Sequence, residues 1–347
     1  MNNKVIFLYT ELAPYIVRCM EALAEEAAEV IVLAYPINSD APFDFKESSG
    51  KVRYINRANF SNRDIISLLN QEDPEMVVCS GWIDKGYLNA LKLFKRNAKK
   101  VVALDNQLEN GVVANLSIMR ARALYRSLFD YAWVPGPPQF EFAKALGFKD
   151  DKIWQKFYTA DFNHFKELDV NSERTVFPKR FVYVGRYVDF KGVNELFSAF
   201  QRLEKHSWEL HCAGTGELFD QRPKHPQIHH HGFVQPVDLD NFVRQGGVFL
   251  LPSWKEPWGV VVHEFASAGY PIICSDKVGA GSVFLDEGKN GFEIKPKNTQ
   301  SLLEAMERMT STTDSILFEM GRFSKKLASS YTISDWVQSA KEILNDE

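Results

Sequence analysis

Two glutamates with seven residues between them, Glu256 and Glu264, stand in the stretch from Leu250 to Cys274. A carboxylate accepts hydrogen bonds from both members of a vicinal diol, so such a pair suits ribose and sugar hydroxyls. Gly259 and Val260 lie between the two acids, at a point where a helix is expected to begin. The free backbone N–H groups of a helix N-terminus favour an anion. One stretch thus offers acceptors for hydroxyls and donors for phosphate, which are the two needs of a nucleoside-diphosphate sugar. Taken alone, both glutamates read equally well as solvated surface charges.

The elements that must position them are legible on either side. Val248 to Leu251 is a short apolar run closed by Pro252, as in a buried strand. Residues 254–258 form a loop, and Gly259 opens a helix whose apolar face carries Val260, Val261, Phe265 and Ala268. Gly269 ends that helix, Pro271 stops it from resuming, and Ile272 to Cys274 is a second strand. Strand, crossover helix and strand make a parallel sheet. Ligands of open parallel sheets sit at the carboxyl ends of the strands, where Glu256 and the helix start both fall.

A second cluster lies upstream. Phe181 to Val184 reads as a strand ending in Gly185 and Arg186, and Lys191-Gly192 precedes a helix over residues 193–203. Arginine supplies planar bidentate donors and lysine a point charge, so the two can hold one diphosphate. Either alone reads as a surface cation.

Pro-Ser-x-x-Glu-Pro-x-Gly from Pro252, the second glutamate at 264, Ala-x-x-Gly-x-Pro from Ala266 and Gly-Arg-x-x-x-x-Lys-Gly from Gly185 together resemble the retaining GT-B glycosyltransferases of the family-4 kind, the glycosyl transferases group 1. The resemblance is strong in the second half of the chain and rests on element pattern in the first. It implies an α/β fold of two Rossmann-like doubly wound domains facing a cleft. Residues 1–170 would bind the acceptor, with a C-terminal helix in 331–347 packing back on them, and residues 171–330 would bind the donor. Glu256, Arg186 and Lys191 would carry catalysis, with Glu256 on the transferred sugar and the cations on the leaving diphosphate. Gly185, Gly232, Phe233, Val234, Gly259, Val260 and Glu264 would hold the nucleotide, with Glu264 on the ribose. The implied enzyme is a hexosyltransferase that retains anomeric configuration by front-face displacement. It needs no metal and no cofactor beyond its nucleoside-diphosphate sugar co-substrate. The implied acceptor is a glycan or lipid-linked molecule in surface polysaccharide synthesis.

The first half alternates strands and helices from Val5 onward, as a doubly wound domain does. Glu11, Trp82, Asp105 and Asn106 follow apolar runs and would ring the acceptor side of its sheet. The turn from Thr10 to Pro14 lacks the family's glycine pair, and no G-x-G-x-x-G loop is present, which argues against a nicotinamide-type dinucleotide fold. Asp105 stands where the family often has histidine; it reads as an acceptor ligand or base, or as a turn or helix cap. Valine occupies position 283, where the family often has an acid. Two other readings stay open: a GT-B epimerase or phosphorylase, and a binding subunit without catalysis, to which the altered first-domain rim lends support.

The 347 residues suggest two domains, and the formal net charge of −4 gives no bulk attraction to nucleic acid. Four scattered cysteines, without a C-x-x-C pair, read as buried thiols of a reducing cytoplasm. No apolar run is long enough for a membrane span and no signal-peptide pattern opens the chain, so the expected place is the cytoplasm. A basic helix over 117–129, with Arg120, Arg122 and Arg126, reads as a solvated face, or as a peripheral contact with anionic lipid at the inner membrane face or with a phosphorylated acceptor. Asn171 to Lys179 reads as the interdomain linker. His229 to His231 lie on a strand, where neighbours alternate faces, so the three cannot chelate one ion well. Asp238-Leu-Asp240 reads as a helix N-cap rather than a metal motif.

Overall fold

The computed structural model describes residues 3–35, 51–109, 111–169, 174–204 and 207–346. The chain divides into two compact units: Met1–Thr159 with Ile333–Glu347, and Ala160–Thr332. The expected linker at 171–179 is described only from Arg174.

The first unit contains strands β1 (Asn3–Tyr9), β2 (Ala28–Ala34), β3 (Val52–Asn56), β4 (Met76–Ser80), β5 (Lys99–Ala103), β6 (Tyr131–Trp133) and β7 (Ile153–Trp154). They form one sheet in the order β3-β2-β1-β4-β5-β6-β7, every pair parallel. Helices α1 (Pro14–Glu26), α2 (Asn62–Glu72), α3 (Lys85–Leu93), α4 (Val112–Tyr125) and α5 (Pro137–Ala145) connect them. Alternate strand residues feed two cores. Ile6, Leu8, Ile31 and Val77 belong to one, and Val5, Phe7, Val30 and Val78 to the other. Both sheet faces are therefore covered, which explains why these strands read as unbroken apolar runs.

The second unit contains strands β8 (Arg180–Val184), β9 (Glu209–Ala213), β10 (Ile228–His230), β11 (Val248–Leu251), β12 (Ile272–Ser275) and β13 (Gly291–Ile294). Their order is β10-β9-β8-β11-β12-β13, again all parallel. Helices α6 (Phe162–Lys166), α7 (Val193–Arg202), α8 (Pro236–Val243), α9 (Val260–Ser267), α10 (Gly281–Phe284), α11 (Thr299–Thr310) and α12 (Asp314–Ala328) complete it. The expected α/β class with two doubly wound sheets is thus the observed one. In each sheet the strand order reverses once, between β1 and β4 and between β8 and β11. Those reversals open the sites where such sheets take ligands.

The last helix, α13 (Ile333–Asn345), belongs to the first unit. Trp336, Val337, Ala340 and Ile343 form its buried stripe. The Trp336 ring lies 4.6 Å from that of Trp133, and its Nε1 donates to the Phe157 carbonyl at 2.8 Å. Lys99 Nζ donates to the carbonyls of Ile343 and Leu344, a cation placed at the negative end of the helix.

Three local expectations need correcting. Helix α4 begins at Val112, not near Ser117, and none of its residues is buried. Helix α8 begins at Pro236, so its N-cap is Gln235 and Asp238 sits inside the first turn; proline at the first helical position sets that start. Helix α9 buries Val262, His263 and Ala266 as well as Val260 and Phe265, while Val261 stays half exposed. The helix is covered nearly all round, and Val261 and Glu264, three residues apart, share its open stripe.

Candidate functional site

The reversal point of the second sheet brings the two sequence clusters together. The loop after β8 carries Gly185, Arg186 and Lys191, and the loop after β11 carries Ser253 and Glu256. The loops are bonded directly, with the Trp254 N–H donating to the Phe190 carbonyl at 2.8 Å. Gly192 has φ +71°, and a Cβ there would lie 2.4 Å from the Pro252 carbonyl oxygen. Only glycine allows this approach, which holds Lys191 against the carboxylate loop.

Lys191 Nζ forms an ion pair with Glu256 Oε2, and Ser253 Oγ donates to the same oxygen at 3.3 Å. Arg186 is exposed; its guanidinium lies 5.6 Å from the Phe190 ring centroid, and Lys191 Nζ lies 6.0 Å from the same centroid. Both cations thus lie near one aromatic ring. Glu256 is held from behind as well. The Gly279 N–H donates to its carbonyl at 3.2 Å, and the Ala280 N–H to that of Trp258 at 2.8 Å.

Gly259 caps α9 with φ +88°, and a Cβ on it would meet Glu256 Cγ at 3.0 Å. The start of α9 therefore abuts the Glu256 side chain. Glu264 follows in the second turn, on the open stripe. Its carboxyl is crowded by protein without a compensating cation among the described residues, and burial pushes its pKa up to about 7.

His263, beside it, fixes the helix. Its Nδ1 accepts the Ala160 N–H at 3.0 Å, its Nε2 lies 3.0 Å from the Ala328 carbonyl, and its ring stacks on Phe284 at 4.2 Å. These contacts require the Nε2–H tautomer. Burial drives its pKa down to about 4. Sequence reading missed His263, because nothing local distinguishes a buried histidine from a surface one on a short helix.

Gly185 and Gly232, two of the glycines expected to hold the nucleotide, and Gly214 between them follow three neighbouring strands. The Gly185 N–H donates to the Ala213 carbonyl at 3.0 Å, and that of Gly214 to Gly232 at 2.6 Å. A Cβ on Gly214 would lie 1.9 Å from the Gly185 carbonyl oxygen, so backbone packs on backbone there. Phe233 and Val234 follow, both half buried. A separate cavity of about 610 Å³ in this unit is lined by Asp220, Arg222, Pro223, His225 and His230, none of them an expected donor residue.

The first unit places Glu11 after β1 and Trp82 after β4, on either side of its own reversal point. The Thr10 N–H donates to Ser80 Oγ at 3.0 Å, which pins the two loops. Glu11 is exposed. Trp82 stacks on Tyr125 at 5.3 Å, so one of its faces is already taken. Asn106 is exposed and Asp105 half buried after β5. Asp105 does not cap α4, whose N-cap is Gly111.

Comparison with known proteins bears out the resemblance to glycosyl transferases group 1. Residues 165–319 match the family model of glycosyl transferases group 1. An uncharacterized glycosyltransferase of Methanocaldococcus jannaschii is 28% identical over 197 residues, which are 53% of this chain and 50% of that protein. Glycogen synthase of Mycobacterium tuberculosis is 32% identical over 138 residues, 37% of this chain and 33% of the enzyme. The matches thus span half or less of these relatives. Among solved structures, Anabaena HepE in complex with UDP and glucose covers 99% of this chain and 100% of its own, with TM-score 0.76 and 13% identity. The lipopolysaccharide outer core galactosyltransferase WaaB aligns over 98% of both chains, with TM-score 0.71 and 16% identity. These likenesses establish the GT-B fold.

Proposed function

We propose that this chain is a glycosyltransferase that moves a hexose from a nucleoside-diphosphate sugar to a glycan or lipid-linked acceptor, with retention of configuration. One observation carries the reading: Lys191 and Glu256 meet at the reversal point of the second sheet, beside the N-terminus of the helix that bears Glu264. Cations for a diphosphate and acceptors for hydroxyls converge there. Arg186, Lys191 and the first N–H groups of α9 would stabilise charge developing on the leaving diphosphate. Such fixed donors do the work a divalent ion does elsewhere. Glu256 would orient the transferred sugar, and Glu264 would accept from the ribose diol. HepE, a structural neighbour, is described with UDP and glucose, which supports a uridine nucleotide as the first donor to try.

The acceptor side is assigned to the first unit. Helix α4 supports an acceptor with a lipid part: Val112, Val113, Leu116 and Met119 are 75%, 78%, 60% and 66% exposed, and Arg120 stands among them. An apolar outward stripe with a cation suits an anionic lipid surface. Among the described residues no helix is long and apolar enough to cross a membrane, so this contact would be peripheral.

The test is a thermal-shift screen of uridine, guanosine and adenosine diphosphate sugars, followed by product analysis with the donor that binds. A transferred sugar with the donor's anomeric configuration supports the proposal. An inverted product, or epimerised donor without acceptor, rejects it.

A further inference from the structure

The sequence reading treats His229, His230 and His231 as a strand detail, and the structure adds two partners from the neighbouring strand. His230 turns to one face, where its Nδ1 lies 2.9 Å from Tyr187 Oη. His229 and His231 turn to the other. There β10 pairs with β9 in a register that sets His229 opposite His211, and Glu209 lies two residues before His211 on the same face. Glu209, His211 and His229 each present one ligand atom, and the three atoms lie within 4.8 Å of one another. Glu209 Oε2 is 3.0 Å from His211 Nε2 and 3.6 Å from His229 Nε2. In a tetrahedral site with bonds of about 2.0–2.2 Å, neighbouring ligand atoms stand about 3.3–3.6 Å apart. His229 Nε2 is buried without a hydrogen-bond partner among the described residues. His211 Nδ1 lies 3.1 Å from His231 Nε2, so His231 can accept the Nδ1–H and turn His211 Nε2 toward the other two ligands.

We infer that Glu209, His211 and His229 form a binding site for a zinc-class transition-metal ion, with His231 as the positioning residue behind His211. Two imidazoles and a carboxylate suit zinc, cobalt or nickel over magnesium or calcium, which take oxygen ligands. A fourth position is left for water. Arg180, paired in register with Glu209 on β8, is the opposing charge on this face; its Nη1 is engaged by the Gly246 carbonyl at 3.1 Å. Glu209 faces both the guanidinium and the ion. The site is built on β9 and β10, not on the loops after β8 and β11 that carry Lys191 and Glu256, and it does not depend on the glycosyltransferase reading. Its consequence is mechanical. Strand β10 is the edge of its sheet and holds only three residues, Ile228–His230. An ion bonded to β9 and β10 together would clip that edge, and with it the Gly232 to Val234 turn that follows.

The experiment is titration of the metal-free full-length chain with cobalt(II), read by visible absorption and by hydrogen exchange. One equivalent should give the intense bands of a four- or five-coordinate ion, quenched by zinc and unaffected by magnesium, with slowed exchange at residues 228–234. Glu209→Gln and His229→Ala should abolish the bands, and His231→Ala should weaken binding by about 10–100-fold. If His229→Ala fails to fold, Glu209→Gln, a near-isosteric change on a half-exposed side chain, carries the same test. Absence of the bands in the wild-type chain, or their persistence in Glu209→Gln, overturns the site.

Discussion

Lys191 Nζ and Glu256 Oε2 form an ion pair across the reversal point of the second sheet, their side chains 15% and 12% exposed. The proposed function gives them different partners, a diphosphate and a sugar, and the fold makes each a partner of the other. A pair this withdrawn from water is stabilised only where its geometry is held, and removing one member leaves an uncompensated charge. A donor that engages both must replace the contact between them with one contact each.

Glu256→Gln is therefore expected to separate binding from turnover. The neutral amide releases Lys191, so affinity for a nucleoside diphosphate without sugar should hold or rise. Turnover should fall by about 100-fold, since the transferred sugar loses its orienting acceptor. Lys191→Ala should instead weaken diphosphate binding itself. Calorimetry with the diphosphate, beside initial rates with the sugar donor, distinguishes the two variants; unchanged turnover in Glu256→Gln would count against the assignment.

Glu264 predicts a pH dependence of the opposite sense to that of most carboxylates. Its folded pKa is about 7 against an ordinary 4.5, so between those values the folded state binds more protons than the unfolded one. Stability from this group falls as pH rises through the window, by on the order of 1–3 kcal/mol given its part-open face. Glu264→Gln should raise the melting temperature above that of the wild-type chain at about pH 8 and leave it nearly unchanged at about pH 5. If Glu264 holds the ribose as proposed, donor affinity of the wild-type chain should strengthen as pH rises through about 7, because hydroxyls donate to the ionised form. Loss of donor affinity in a variant that is more stable would mark Glu264 as a binding group rather than a structural one.

The strands were legible because both sheet faces are covered, so apolar runs such as Val5 to Leu8 and Val248 to Leu251 stand out. The pairing of Gly192 with Pro252 was legible only as two separate motifs, since their contact joins residues 60 positions apart, 192 to 252. Helix phase was less secure: one residue's shift in α9 moved Val261 out of the core and Val262 in. His263 and the Glu209–His211–His229 cluster were not legible, because each depends on which strand or segment lies alongside. Period-two alternation rightly separated His230 from its neighbours but could not supply the partners from β9.

His263 makes the second unit acid-sensitive. Its folded pKa is about 4 against 6.5, so the unfolded state binds more protons between those values and stability falls as pH drops through the window. The loss should reach on the order of 3 kcal/mol by about pH 4. His263→Phe should remove that dependence while keeping the stack on Phe284. It would strand the Ala160 N–H, costing about 1–3 kcal/mol near neutral pH. Urea unfolding at two pH values measures both effects; a variant as acid-sensitive as wild type would locate the effect elsewhere.

Gly192→Ala should be costly where Gly288→Ala is mild. Both glycines have positive φ, +71° and +77°, but only Gly192 would place a Cβ against backbone, 2.4 Å from the Pro252 carbonyl, while Gly288 meets nothing within 4 Å. Each substitution carries strain of about 1–3 kcal/mol, and only the first must also part the two loops. Gly192→Ala should thus lower diphosphate affinity as well as stability, and Gly288→Ala should leave affinity alone. Equal loss of affinity in both would mean that the approach of the loops is not what assembles the site.

The outward face of α4 yields the last test. Surface helices ordinarily turn polar residues to water, yet Leu116 and Met119 are 60% and 66% exposed. Both side chains are mostly exposed, so Leu116→Gln with Met119→Gln should change stability by no more than about 0.5 kcal/mol. If this stripe meets a lipid surface, the double variant should lose sedimentation with anionic vesicles. It should also lose transfer to a lipid-linked acceptor in those vesicles, while transfer to a short water-soluble acceptor persists. Arg120→Glu should weaken vesicle binding further and should matter less as salt rises, since its attraction is screened. Equal loss toward both acceptors would place the stripe in catalysis or folding instead, and no loss toward either would leave the membrane role without support.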